Sequence, residues 1–219
     1  MRTHLGLAAL FAFLCASLSA GAQVPGMIRS AVGVTRSGTP IPCWITAEDV
    51  KPTSTLRRVL LVGGLDGRAE SVAAVKAVLE AFQSGSGPKL ALSAVPDART
   101  GQKGAMKPMT FPPEGQAYLQ PENDVTHYLW RWIGMHAPDV VILVAEAGDA
   151  TAASLAQALG KEAPCGMGTI SSEVCQAGDL NKVLVEALAQ GQPSAARLER
   201  QRRISRSALE VAAELAKVY

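Results

Sequence analysis

Arg58-Val59-Leu60-Leu61-Val62-Gly63-Gly64-Leu65-Asp66-Gly67 is the stretch that decides the fold. An apolar run without alternation, bounded by arginines before it and glycines after it, reads as a strand covered on both faces. Downstream, Val72, Val75, Leu79 and Phe82 recur at helical spacing from Ala69 to about Gln83, and Ser84-Gly85-Ser86-Gly87-Pro88 stops that helix. Residues 89–95 (KLALSAV) form the next strand. Strand, helix and strand together have the length of a parallel crossover.

The same reading extends outward in both directions. Upstream, residues 30–49 suggest an edge hairpin, with Val32, Val34, Ile41, Cys43 and Ile45 alternating around Ser37-Gly38-Thr39-Pro40. Residues 96–120 make a long loop of the kind that often carries function. Pro121-Glu122-Asn123-Asp124 opens a helix whose buried face is Val125, Leu129, Trp132 and Ile133. Pro138-Asp139 ends it, and residues 140–145 (VVILVA) form a third buried strand. Beyond that point strand signals fade, and residues 151–159, 180–189 and 194–218 read as helices. The expectation is an α/β domain with three layers, α/β/α, around a mostly parallel or mixed sheet, with a helical C-terminal part. Its boundaries are 23–192, followed by a C-terminal helix over 193–219. That helix runs to Tyr219 without a stop signal, which leaves open that the sequence is a piece of a longer chain.

Composition narrows the function classes. A hydrophobic content of 48% and a charged content of 18% exclude a disordered chain. A net charge of +2 gives no global attraction to nucleic acid, so no nucleic-acid partner is expected. Arg2 and His4 precede an apolar run over residues 5–18, and Ala20 and Ala22 supply an A-x-A site before Gln23. This is the pattern of a signal peptide over 1–22, and it implies export to a periplasmic or extracellular space. The run is short for a membrane span, and no later segment is expected to be one. Removal of Cys15 with the leader would leave Cys43, Cys165 and Cys175. Cys165 and Cys175 could pair across a Gly-rich loop in an oxidising compartment, or all three could stay as buried thiols.

In open α/β sheets, ligands collect beyond the carboxyl ends of the strands. Three such ends carry charge: Asp66, Arg68 and Glu70 after the first strand, Asp97 and Arg99 after the second, and Glu146 and Asp149 after the third. Together they could line one acidic crevice, or each acid could cap the helix that follows it. His127 and His136 lie nine apart on one helix and face nearly opposite ways, so they cannot chelate one ion together. His136 belongs to the apolar side and His127 to the surface. The sequence has no G-x-S-x-G elbow for a Ser-His-Asp hydrolase and no G-x-G-x-x-G spacing for a dinucleotide. Arg197, Arg200, Arg202, Arg203 and Arg206 spread round the start of the last helix, which reads as a charged helix with one packed face, with contact to an acidic polymer or membrane surface as the functional alternative.

The order of these pieces resembles the zinc carboxypeptidases, the carboxypeptidase A-like metallopeptidases. Val32-Gly33-Val34-Thr35-Arg36-Ser37-Gly38-Thr39-Pro40-Ile41 is similar to that family's opening hairpin, and residues 59–67 to its strand leading into G-G-x-H-G-x-E. Val95-Pro96-Asp97-Ala98 falls at its N-P-D-G turn. Phe111-Pro112-Pro113-Glu114-Gly115, Pro121-Glu122 and the Pro138-Asp139 strand match its middle section. The likeness covers roughly residues 30–146. It implies peptide or small-amide hydrolysis by zinc-activated water, with Asp66, Glu70 and Glu146 at the metal positions, Arg99 and Asp97 as substrate-binding residues and Glu173 as the catalytic base. Asp66 stands in the first His position, Ala69 in the Glu position with Glu70 one residue on, and Glu146 or Ala145 at the second His. An all-oxygen set suits harder cations better than zinc. The expected zinc-dependent activity is therefore weak or absent, and the alternative is a non-catalytic peptide- or glycan-binding module on the same fold.

Overall fold

The computed structural model describes residues 27–51, 54–83, 91–102, 107–113, 124–189, 193 and 197–199. The expected leader, the helix stop at 84–88, the helix start at 121–123 and most of the last helix lie outside the described residues. Six strands form one sheet: β1 (Met27–Val34), β2 (Pro40–Thr46), β3 (Arg58–Val62), β4 (Ala91–Val95), β5 (Val140–Val144) and β6 (Ser171–Cys175). Their order is β1-β2-β4-β3-β5-β6. The β1–β2 and β2–β4 pairs are antiparallel, whereas β3–β4, β3–β5 and β5–β6 are parallel. The sheet is mixed, as the α/β reading requires, and the three strands anticipated from their apolar runs are neighbours in it.

Helices cover both faces. These are α1 (Ala69–Gln83), α2 (Asp124–His136), α3 (Ala150–Lys161) and α4 (Leu180–Ala189). Successive residues of each central strand point to opposite sides, so β3 sends Leu60 and Val62 into one core and Val59 and Leu61 into the other. The first core also contains Leu129 and Ile133 of α2 and Leu155 and Leu159 of α3. The second holds Val75 and Leu79 of α1 with Leu180 and Leu184 of α4. Every residue of β5 is buried. Each such Val, Leu or Ile contributes about 1.5–3 kcal/mol relative to exposure.

Two elements differ from the sequence reading. The hairpin of β1 and β2 is present, but only β1 lies at the edge, because β2 goes on to pair with β4. Residues 171–175 form a sixth strand where no strand is anticipated. The stretch Ser-Ser-Glu-Val-Cys pairs on one side alone and buries only Cys175, so it lacks the apolar run that marks β3 and β5.

The connections set the location of the crevice. From β3 the chain crosses by α1 to β4, and from β5 it crosses by α3 to β6 on the other side. Helices α1 and α3 pack on opposite faces, so the loops after β3 and β5 diverge at the carboxyl ends of adjacent strands. That divergence is the switch point at which open α/β sheets leave a ligand crevice.

Candidate functional site

Asp66 occupies the switch point. Its Oδ1 accepts hydrogen bonds from the Arg68 amide at 3.0 Å and the Ser71 hydroxyl at 2.7 Å, and its Oδ2 accepts from the Glu146 amide at 3.0 Å. Ser71, buried in the first turn of α1, also accepts from the Gly64 amide at 3.1 Å. The carboxylate thus joins the β3–α1 loop to the β5–α3 loop. Just above it the Arg68 guanidinium pairs with Glu146, both side chains about half exposed. Ion pairs of that exposure contribute ~0–1 kcal/mol.

Two hollows flank Arg68. One, of about 260 Å³, is lined by Asp66, Arg68, Glu70, Ser71, Glu146 and Gln176 among others. The second, of about 430 Å³, lies between α1 and the loop after β4, with Arg68, Val72, Ala73, Lys76, Asp97 and Gln102 in its wall. The carboxyl ends therefore bring Asp66, Glu70 and Glu146 to one hollow and Asp97 to the other, with Arg68 shared between them. Asp149 does not join them; its Oδ1 accepts from the Ala152 amide at 2.7 Å and caps α3.

Arg99 also reaches this end of the sheet but turns inward. It is buried, donating through Nε to the Leu65 carbonyl at 2.6 Å, through both terminal nitrogens to the Lys107 carbonyl at 3.2 and 3.1 Å, and to Thr151 Oγ1 at 3.1 Å. Burial lowers its pKa, while the carboxylates of Asp149 and Asp66 act in the opposite direction. Glu173, anticipated in a loop as the base, sits instead within edge strand β6, level with Ile142 of β5, and lines neither hollow.

The donor set does not fit zinc. Asp66 has three of its four lone-pair sites taken by donors of the fold, Glu146 pairs with Arg68, and Ala69 offers no ligand atom. Among the described residues no group of three or more His, Cys, Asp or Glu could hold a metal ion. The histidines are elsewhere: His136 stacks on Trp132 at 3.8 Å with Nδ1 3.3 Å from Asp49, and His127, half-buried, packs edge-on against Tyr128. The three described cysteines are unpaired, Cys43 and Cys175 buried and Cys165 exposed. Burial pushes the Cys43 thiol up to about 12 and the Cys175 thiol up to about 11. Among the described residues no helix is long and apolar enough to cross a membrane.

In the sequence Arg68 is a neighbour of the acidic positions, and Ser71, Lys76 and Thr151 are not among the candidate site residues. Ser71 lies five residues after Asp66, within one turn of a helix start, which is a readable signal for a carboxylate–hydroxyl pair. Thr151 gave none, because its partners are remote in the chain.

No protein-family model matches this sequence, and no curated protein does. Among solved structures, the chain is similar to a metallo-carboxypeptidase from Burkholderia cenocepacia, at 15% identity and a TM-score of 0.45. The alignment covers 65% of this chain and 41% of that one, so the chain spans less than half the length of that enzyme.

Proposed function

We propose that this chain is an exported α/β domain that binds peptides at the carboxyl ends of β3–β5 without hydrolysing them. The observation that carries the reading is the engagement of Asp66. Three of the four lone-pair sites of the Asp66 carboxylate accept hydrogen bonds from Arg68, Ser71 and Glu146, which makes it a bridge between two loops, and among the described residues no group of three or more His, Cys, Asp or Glu around it could hold a metal ion. Peptide is favoured over glycan because, among the described residues, neither hollow beside Arg68 has an aromatic ring in its wall for a sugar face to stack on.

The test is release of C-terminal residues from a mixed peptide pool, with added zinc and with chelator, alongside elemental analysis of the dialysed protein. The expected outcome is no chelator-sensitive release and no stoichiometric zinc. Robust release that chelator abolishes, and that both Asp66→Ala and Glu70→Gln suppress in folded protein, would overturn the proposal. Glu70→Gln is included because Glu70 is exposed and its replacement leaves the Asp66 network intact.

A further inference from the structure

The 430 Å³ hollow beside α1 carries charges of both signs on three separate segments. Arg68 projects from the β3–α1 loop and Lys76 from the second turn of α1, while Asp97 comes from the turn after β4. Arg68 gives Glu146 one face of a guanidinium that has five donors, so the others remain for a ligand. Asp97 is half-buried, and among the described residues its carboxylate has no hydrogen-bond or ion-pair partner; the turn uses only its backbone carbonyl, which accepts from Thr100. Arg99 borders the same space, with four of its five N–H donations committed to Leu65, Lys107 and Thr151. Along α1 the wall is short and apolar, Ala69, Val72 and Ala73, and the polar Gln102 completes it beside Gly67 and Gly101.

From this arrangement we propose that the hollow binds a zwitterionic ligand with a free ammonium and a free carboxylate, namely a dipeptide or a free amino acid with a small apolar side chain. The carboxylate would lie against Arg68 and Lys76, the ammonium against Asp97, and the side chain against Val72 and Ala73. A lone anion such as phosphate would meet the Asp97 carboxylate, and a lone cation would meet two positive groups. Only a ligand carrying both signs satisfies all three. The hollow falls within the usual size range of small-molecule sites, about 300–1,000 Å³. This inference rests on the non-hydrolytic peptide reading and names the ligand end that the crevice recognises.

The experiment is titration calorimetry on the whole protein with four probes: L-alanyl-L-alanine, free L-alanine, N-acetyl-dialanine and dialanine amide. A zwitterion should bind, and removing either charge should weaken binding about tenfold or more, the scale of one charge-assisted hydrogen bond. Preference between the first two probes separates the dipeptide source from the amino-acid source. Asp97→Asn should weaken the zwitterion and abolish discrimination against the N-acetyl probe alone, whereas Lys76→Gln should erode discrimination against the amide alone. Absence of binding by all four probes, equal binding by zwitterion and blocked analogues, or variants without these selective effects would overturn the assignment. Mass spectrometry of the same mixtures reports alanine release, so failure of the non-hydrolytic reading shows up separately.

Discussion

The Arg99 guanidinium gathers three segments around itself: the Leu65 carbonyl of the β3–α1 loop, the Lys107 carbonyl and the Thr151 hydroxyl of α3. A planar fork fits that arrangement, and a single ammonium does not. Arg99→Lys should therefore leave at least one buried acceptor without a donor, at about 1–3 kcal/mol per group. The expected result is a urea midpoint lowered by a loss of ~2–4 kcal/mol with the slope unchanged. A loss under ~0.5 kcal/mol would show that these bonds are not made in solution. In the sequence Arg99 is one more cation after a strand, and nothing local separates a ligand-facing arginine from an inward one. The difference comes from Thr151, 52 residues away, and from the loop that carries Lys107. Asp66 and Glu146 are the opposite case. Their placement at strand ends is legible in the sequence, which leaves a shared crevice and separate helix caps as alternative readings of the same residues.

At the scale of elements, the passage from β3 into α1 depends on a close approach of backbone to backbone. A Cβ added at Gly63 would lie 2.6 Å from the Pro96 carbonyl oxygen and 2.8 Å from that of Ser71. Neither atom can swing aside, because the first belongs to the turn after β4 and the second to the first turn of α1. Gly63→Ala should cost about 1–3 kcal/mol as the turn and helix are pushed apart. Gly160, in the last turn of α3, has nothing within 4 Å of its added Cβ, and Gly160→Ala should stabilise by roughly 0.4–1 kcal/mol through the unfolded chain. Thermal or urea unfolding of the two variants should give shifts of opposite sign; shifts of one sign would contradict the packing described for Gly63. Element legibility follows the same physics. Strands β3, β4 and β5 are flanked on both sides and announce themselves as apolar runs. Edge strand β6 is half solvated, and Ser171, Ser172 and Glu173 give it the composition of a loop.

At the scale of the whole molecule, the sheet and the C-terminal segment meet at a buried ion pair. Arg197 sits among a run of arginines that sequence reading assigns to a charged helix, yet its side chain is 4% exposed and that of its partner Asp139 is 1% exposed. Its Nε lies 3.0 Å from Asp139 Oδ2, and its terminal nitrogens donate to the Ser54 carbonyl at 3.3 Å and the Leu56 carbonyl at 2.7 Å. Asp139 in turn accepts from the Arg58 amide at 2.8 Å, at the start of β3. The pair therefore fixes the C-terminal segment to the amino-terminal ends of β3 and β5, opposite the ligand hollows. Removing one partner of such a pair leaves the other buried and uncompensated, which costs about 3–5 kcal/mol, whereas neutralising both is far cheaper. Arg197→Met should fall in that range. Arg197→Met combined with Asp139→Asn should recover a large part of it, because asparagine keeps an oxygen for the Arg58 amide and carries no charge to strand. Chemical denaturation of the two single variants and the double variant closes the cycle. A strongly non-additive result, with the double variant more stable than Arg197→Met alone, is expected. Additive losses would mean that Arg197 and Asp139 act independently, and the C-terminal segment would then be held by contacts other than this ion pair.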